Sequence, residues 1–247
     1  MNKGPSAQQK NQARPPVVVV LGHVDHGKSS LLEAIREDFK ITSKESGGIT
    51  QHIGAYVVQY QGKSITFIDT PGHEAFSAVR KRGASVADIA ILVVAADEGV
   101  KQQTKEAIEQ ARKAGLPLIV ALNKVDKPEA NPERVMQEIS QEEIFVESFG
   151  GKVPCIETSA TTKKGISELL EMIILMADLE HVSVDFGKAG EGVVIEASMD
   201  SRRGALATLL VRDGHVQVGD VVGTSSAIGK IRTLGDFQGN PISQGLP

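Results

Sequence analysis

The sequence predicts an α/β domain in which a mostly parallel sheet is wrapped by helices, followed by an incomplete small antiparallel β-barrel. From residue 15 to about residue 180, short β-branched runs alternate with amphipathic helical stretches, which is typical of such a sheet. From residue 191 onward, short alternating strands are broken by glycines, as in small barrels. The chain has 247 residues, 40% of them apolar, which suffices for one large domain and part of another.

The individual elements follow from the hydrophobic pattern. The run at 17–21 is apolar throughout and predicts a central strand buried on both faces. The runs at 56–60 and 64–69, separated by residues 61–63, predict an antiparallel hairpin. Further buried strands are predicted at 89–95, 116–122 and 152–157. Helices are predicted at 28–37, 74–83, 101–114, 132–145 and 165–178.

Composition shifts predict the domain boundaries. Residues 1–14 are polar and have little to bury, so we expect a disordered leader. The large domain then spans 15–180, and a charged, glycine-containing stretch at 181–190 predicts a linker. The barrel domain would occupy 191–247, and we expect it to be truncated, because this length is short for a closed barrel.

Overall composition excludes several classes of protein. The leader lacks the apolar stretch of a signal peptide, and the longest apolar run, 89–96, is too short to span a membrane. The single cysteine, Cys155, cannot form an internal disulfide, which fits a reducing cytoplasm, and its apolar surroundings predict burial. The formal net charge of −4 argues that any contact with RNA is local.

The segment 22–29, Gly-His-Val-Asp-His-Gly-Lys-Ser, has the spacing of a phosphate-binding P-loop and lies between a buried strand and a helix. Glycines allow successive backbone N–H groups to face phosphate oxygens, and the helix N-terminus adds partial positive charge. Lys28 is expected to bridge the β- and γ-phosphates, and the Ser29 hydroxyl to bind Mg²⁺. The predicted phosphate-binding residues here are Val24, Asp25, His26, Gly27, Lys28, Ser29 and Ser30. A glycine turn that happens to precede Lys-Ser is the alternative, and the motif alone does not distinguish ATP from GTP.

A second motif, Asn123-Lys124-Val125-Asp126, follows the strand that ends near residue 122 and favours guanine. The Asp126 carboxylate can accept hydrogen bonds from the N1–H and exocyclic amine of guanine, a pattern that adenine does not present. Asn123 would tie this loop to the P-loop, and the Lys124 stem would cover one face of the base. In the Thr158-Ser159-Ala160 string, Ser159 and Ala160 complete the predicted guanine site. A helix cap at Asp126 is the alternative reading of the motif.

Two further segments predict contacts with Mg²⁺ and the γ-phosphate. Asp69 ends a predicted strand and can hold Mg²⁺ through a water, while Gly72 can bring its N–H close to the γ-phosphate. Thr50, in the polar stretch after the first helix, could supply a second hydroxyl to Mg²⁺ and respond to loss of the γ-phosphate. A mobile surface loop is the alternative for the segment around Thr50.

Together these motifs resemble the translational GTPase superfamily, and elongation factor Tu shares the strings at 22–28, 69–73 and 123–126. Other runs make the chain similar to the bacterial translation initiation factor 2 family, namely 47–56, 74–83, 93–100 and 194–197. The resemblance covers about residue 15 to the end, and Arg202 departs from the glycine more common there. It implies a P-loop GTPase domain that binds GTP, GDP and Mg²⁺, followed by part of a second domain.

The resemblance also implies a mechanism. His73 would take the place of the catalytic histidine that orients the attacking water. Val24 and Ile49 would form the pair of apolar residues that holds this histidine back, although core packing is an equal interpretation. Asp25 could bind a monovalent cation, Na⁺ or K⁺, or simply form a turn. Intrinsic hydrolysis should be slow, because no arginine finger is evident in the motifs.

The implied partners are the ribosome, through ribosomal RNA at its GTPase-activating site, and initiator tRNA, through C-terminal domains that this chain lacks. We expect a cytoplasmic monomer with no membrane contact. The basic run 80–82 could face ribosomal RNA, but such a run is more often simply solvated. His23, His26 and His52 predict no zinc site, because no Cys or carboxylate cluster supplies further ligands. A nucleotide-responsive docking module without hydrolysis and an ATP-dependent P-loop enzyme are the competing hypotheses.

Overall fold

The structure, a computed structural model, describes residues 12–38, 54–69, 84–201, 204–236 and 239–247. The chain divides into two compact units. One comprises residues 16–180, and the other combines the residues up to Pro15 with residues 181–247. No helix in the described ranges is long and apolar enough to cross a membrane.

Unit 16–180 is built on a six-stranded sheet flanked by helices. Its strands are β1 (Val17–Gly22), β2 (Gly54–Tyr60), β3 (Lys63–Asp69), β4 (Ile89–Ala95), β5 (Leu118–Asn123) and β6 (Cys155–Glu157). Its helices include α1 (Lys28–Asp38), α2 (Gln102–Ala114), α3 (Pro132–Gln141) and α4 (Ile166–Leu179). The strand order is β2-β3-β1-β4-β5-β6, with β2 antiparallel to β3 and the other neighbours parallel. The predicted α/β class is confirmed.

The core lies along the central strands, as their continuous apolar runs predict. Every residue of β1 and of β4 is buried, because helices cover both faces of a parallel sheet. The α2 helix buries Ala107, Ile108 and Ala111, the apolar stripe of its sequence, and ends at Gly115 in the left-handed region at φ 66°.

Three elements begin or end two or more residues inside the predicted bounds, and local chemistry accounts for these three differences. Strand β5 begins at Leu118 and β6 at Cys155, because each follows a proline, Pro117 or Pro154, that lacks an N–H to donate. Helix α3 ends at Gln141, and Glu143 then takes a left-handed φ of 62°, which stops the helix short of residue 145. The helix predicted at 74–83 lies outside the described residues.

The unit that contains residues 181–247 is antiparallel. Its longest pair joins Glu191–Asp200 to Gly204–Asp213. Its described residues form five two-stranded sheets in all, which confirms the predicted antiparallel strands. One of these sheets pairs Gln12–Ala13 with Ser183–Val184, so the end of the segment expected to be a leader is paired. These backbone hydrogen bonds were not visible in the polar composition of the leader.

The arrangement of unit 16–180 places four loops at one edge of its sheet. Strands β1, β4, β5 and β6 are parallel, so their carboxyl ends share an edge. Ligand sites of open α/β sheets lie at this edge. The loops that leave these strands begin at residues 23, 96, 124 and 158 and carry the motifs singled out above.

We predict that Leu92→Ala destabilises unit 16–180 by about 2–5 kcal/mol, because it opens a cavity in the fully buried β4. Leu175→Ala is the matched control: its side chain on α4 is 53% exposed, and its truncation should change stability by less than about 0.5 kcal/mol. The protein has no Trp and its two Tyr residues, Tyr56 and Tyr60, both lie in β2. Tyrosine fluorescence during urea unfolding therefore reports on this unit. An equal decrease in the free energy of unfolding for the two variants would contradict the prediction.

Candidate guanine-nucleotide site

The turn after β1 is shaped by close backbone contacts. Residues 24–26 form one turn of 3-10 helix, and Gly27 has a left-handed φ of 82° before α1 begins at Lys28. A Cβ on Gly27 would lie 2.5 Å from the side-chain nitrogen of Asn123. Glycine is therefore required here for its conformation and for the close approach of the Asn123 side chain.

Lys28 is held inside this turn. Its side chain is buried, and Nζ donates to the carbonyl oxygens of Gly22 at 3.0 Å and His23 at 2.6 Å. The ammonium is thus fixed by the backbone of the loop that the sequence assigns to phosphate. Beside it, the backbone N–H of Val24 donates to Oε1 of Gln103 on α2 at 3.1 Å.

Asn123 joins three of the loops at the sheet edge. Its side-chain nitrogen donates to the carbonyl oxygens of His26 at 3.0 Å and Gly27 at 3.4 Å. Its side-chain oxygen accepts from the Thr158 hydroxyl at 3.4 Å. Asn123 is only 1% exposed, and Thr158 is fully buried. The predicted tie between the loop at 123–126 and the P-loop is thus present in the structure as two hydrogen bonds.

A cavity of about 170 Å³ lies where these loops meet. It is lined by Gly27, Ser30, Asn123, Lys124, Asp126, Lys127, Ala160 and Thr161. The structure therefore brings together residues of the phosphate motif with four of the five residues proposed for guanine. The fifth, Ser159, is buried, and its hydroxyl accepts the N–H of Thr162 at 3.0 Å, which fixes the turn that carries Ala160.

Ion pairs hold the loop at 123–127. Lys124 has a left-handed φ of 63°, a conformation that is uncommon for a residue with a side chain. Its Nζ lies 3.0 Å from Oε1 of Glu98, and Nζ of Lys127 lies 2.6 Å from Oδ2 of Asp97. Both carboxylates belong to the loop after β4. The loop at 123–127 is thus tied to its neighbours on two sides, by hydrogen bonds to the P-loop and by ion pairs to residues 97 and 98.

Four of the predicted site residues, Thr50, Ile49, Gly72 and His73, lie outside the described residues. Asp69 is the last residue of β3, and only its backbone is described. Of the predicted Mg²⁺ ligands, Ser29 is the one whose side chain is described. It lies exposed in the first turn of α1, and its hydroxyl is the kind of hard oxygen ligand that Mg²⁺ prefers. Val24 and Asp25 are also exposed at the turn.

His26 is a buried histidine in the middle of the phosphate motif. Its Nδ1 lies 3.3 Å from the Val93 carbonyl oxygen, and its Nε2 is buried without a hydrogen-bond partner in the described structure. Burial lowers the pKa of the imidazole to about 4, against the weaker effect of the Val93 contact. His26 is therefore neutral at physiological pH. Its ring centroid lies 5.0 Å from that of His23, yet the described residues contain no group of three or more metal ligands.

Some contacts at the site were not predicted from the sequence. Lys127 and Thr161 line the cavity, and each directly follows a predicted residue, so extending the motifs by one position would have found them. Gln103 on α2 and Glu98 in the loop after β4 also contact residues of the site, and neither was predicted as a site residue. Cys155, expected to be buried, is half-buried, and burial raises the pKa of its thiol to about 12, so it carries no thiolate at neutral pH.

The chain matches two protein-family models and is similar to several known proteins. A family model described as elongation factor Tu GTP binding domain matches residues 14–178, and one described as elongation factor G domain 2 matches residues 189–247. Translation initiation factor IF-2 of Carboxydothermus hydrogenoformans is 52% identical over the whole chain, which spans 30% of that relative. The factor of the same name from Lachnoclostridium phytofermentans is 54% identical over 95% of the chain and 21% of the relative. The chain thus spans less than a third of the length of these two curated relatives.

Solved structures agree in fold. GDP-bound aIF5B from Aeropyrum pernix has a TM-score of 0.69 and 30% identity, over 95% of this chain and 50% of that one. The elongation factor SelB of Methanococcus maripaludis, in complex with the GTP analogue GppNHp, has a TM-score of 0.75 over 95% of this chain and 50% of that one. Its identity of 24% makes it evidence for the fold alone.

We predict that His26 makes stability pH-dependent. The imidazole has a lowered pKa in the folded state, so the unfolded chain binds more protons between pH 6.5 and about 4. Its contribution to stability is complete above pH 6.5 and is lost as pH falls towards 4, by up to about 3 kcal/mol. His26→Gln should reduce this loss, as measured by urea unfolding with tyrosine fluorescence from pH 7.5 to 4.5. The exposed His181→Gln is the control, and identical pH profiles for wild type and His26→Gln would contradict the assignment.

Proposed function

Since the chain belongs to the family of the elongation factor Tu GTP-binding domain, we propose that it binds GTP and GDP at the edge of its parallel sheet and hydrolyses GTP in translation initiation. The single observation that carries this proposal is the position of Asn123. Its amide links the P-loop turn to the loops that hold Asp126 and Ala160, so that phosphate and base contacts share one cavity. Relatives named translation initiation factor IF-2 support the role in initiation.

Guanine would be recognised by Asp126, Lys124 and Ala160, all of which line the cavity. The Asp126 carboxylate accepts from N1–H and the exocyclic amine, and the Ala160 N–H donates to O6. A base without those donors would leave the carboxylate unpaired, which disfavours adenine strongly. Asn123 and Ser159 would hold the loops that carry Asp126 and Ala160 in place through their hydrogen bonds.

The phosphates would lie against residues 24–30 and Gly72. Lys28 is fixed by two backbone carbonyls and would contribute positive charge, which phosphoryl transfer requires more than covalent assistance. Ser29, Thr50 and, through a water, Asp69 would hold Mg²⁺, which neutralises charge on the β- and γ-phosphates when it is bound. We assign Asp25, exposed at the turn, to a monovalent cation as part of the same proposal.

His73 would orient the attacking water, and Val24 and Ile49 would hold its ring away until a partner intervenes. The side chain of Val24 is 47% exposed, which fits a contact with a movable neighbour better than a place in the core. Hydrolysis without a partner would then be slow, about 10⁻⁴ to 10⁻³ per second as in unassisted small GTPases. We propose the ribosome as that partner, with initiator tRNA bound by other parts of the full-length factor.

We predict that Asp126→Asn changes the preferred base. An amide in place of the carboxylate matches the C2 carbonyl of xanthine, so GDP affinity should fall by at least about 100-fold and XDP should become the better ligand. Equilibrium titration with fluorescent GDP and XDP measures both constants. Asp178→Asn, which removes only the exposed ion pair with Lys63, is the control and should change neither constant. Unchanged GDP affinity in Asp126→Asn would remove the base-reading role.

We predict that His73→Ala abolishes stimulated hydrolysis while leaving GTP affinity within about twofold of wild type. The reason is that a group that orients water acts in the transition state, and its loss should lower the rate by about 10²-fold or more. Single-turnover GTP hydrolysis with and without ribosomes provides the measurement, and the exposed His181→Ala is the control. A wild-type stimulated rate in His73→Ala would refute the catalytic role, and hydrolysis indifferent to ribosomes in the wild type would refute the proposed partner.

A further inference from the structure

The loop after β4 is built against the loop after β5. The Ala96 N–H donates to the Asn123 carbonyl oxygen at 2.7 Å, which extends the pairing of β4 with β5 by one residue. The Asn131 N–H donates to the Ala96 carbonyl oxygen at 2.9 Å. Residues 97 and 98 are thus presented from a fixed backbone beside the cavity.

Both side chains that follow Ala96 engage lysines of the cavity wall. Glu98 pairs with Lys124 at 3.0 Å, and these side chains are 32% and 21% exposed. Asp97 pairs with Lys127 at 2.6 Å, and its side chain is 12% exposed. Arg134 of α3 also donates to the Asp97 carbonyl oxygen at 3.0 Å, which anchors this loop from the outside. Partly buried pairs of this kind hold long side chains in one geometry better than fully exposed ones do.

Both carboxyls carry the negative charge that their ion pairs require. Burial alone would raise the pKa of each carboxyl, but the hydrogen bonds from Lys127 to Asp97 and from Lys124 to Glu98, with the lysine charges, outweigh it. The pKa of both carboxyls is therefore lowered, and both are ionised at neutral pH. Neither carboxylate lines the cavity itself, whereas both of the lysines that they pair with do.

We propose that Glu98 and Asp97 are positioning residues for the guanine site, in which Glu98 holds the Lys124 ammonium so that its methylene stem forms a wall for the base. Asp97 holds Lys127 in the same way. This inference rests on the proposed function and deepens it, because it adds two carboxylates from a loop outside the recognised base motif. It places their effect on the base and not on the phosphates.

The test is Glu98→Gln, which keeps the size of the side chain and removes its charge. The dissociation constants for GDP and GTP should rise by the same factor, roughly 5- to 30-fold, because one charged contact to the base-covering lysine is weakened. Glu109→Gln is the matched control: it removes an exposed ion pair with Lys113 on α2 and should leave both constants unchanged. A change in the ratio of GDP to GTP affinity would overturn the assignment to the base.

A double-mutant cycle distinguishes positioning from general stabilisation. Lys124→Met retains the apolar stem without the ammonium and should raise both dissociation constants by a factor similar to that of Glu98→Gln. Adding Glu98→Gln to Lys124→Met should then have no further effect. Equal effects of Glu98→Gln in both backgrounds would show that Glu98 does not act through Lys124.

The outcomes also separate this inference from the function it rests on. A wild-type protein that binds neither GDP nor GTP would refute the proposed function. Wild-type binding of both nucleotides, together with unchanged affinities in Glu98→Gln and Lys124→Met, would refute the positioning role alone. Near-UV circular dichroism of the β2 tyrosines checks that each variant is folded before titration, and Lys124→Met carries the comparison if Glu98→Gln does not fold.

Discussion

The buried side-chain amide of Asn123, at the end of β5, makes hydrogen bonds to the loops that leave two other strands of the same sheet, β1 and β6. Its nitrogen and oxygen together satisfy the P-loop carbonyls and the Thr158 hydroxyl, so little polar capacity is left unpaired in a nearly dry location. Gly27 lies so close to this amide that a larger residue would displace it. The relative position of the phosphate loop and the base loops is therefore set by one residue with planar donors and acceptors.

The ion pairs of Asp97 and Glu98 restrain lysine side chains of the loop whose backbone Asn123 holds. Asn123 fixes the start of the base loop, while Glu98 and Asp97 fix the long side chains further along it. These contacts differ in character, because the amide is fully enclosed and the carboxylates remain partly hydrated. The enclosed contact sets the backbone geometry, and the hydrated ones limit the freedom of side chains that would otherwise sample many rotamers.

Much of the fold followed from the sequence because its signals are local. The apolar runs of β1 and β4 could be read directly, and Asn123 was recognised from its place after a buried strand. The strand starts at Leu118 and Cys155 depend on the prolines before them, a local signal that the hydrophobic pattern did not weigh. The strand Gln12–Ala13 pairs with Ser183–Val184, at the far end of unit 16–180 along the chain, and the local sequence does not indicate a partner so distant.

The candidate site was predictable where motif chemistry decides and obscure where distant residues meet. The contact between Gln103 and Val24 joins residues 79 positions apart, and no pattern in either segment announces it. The burial of His26 was equally hidden, because a histidine between glycine and aspartate in a turn looks exposed. Its environment comes from Val93 of the neighbouring strand, and only the register of β1 on β4 reveals this.

The anchoring of Lys28 affects how free energy is divided between folding and binding. Its ammonium is removed from bulk water and held by two carbonyl oxygens within the folded chain, so most of its dehydration is completed when the protein folds. An arriving anion then meets a charge that needs little further reorganisation, as in other preorganised electrostatic sites. The cost of dehydrating this ammonium lowers the free energy of unfolding, and an anion bound at the loop raises it again. The affinity of the site and the stability of unit 16–180 are therefore thermodynamically linked.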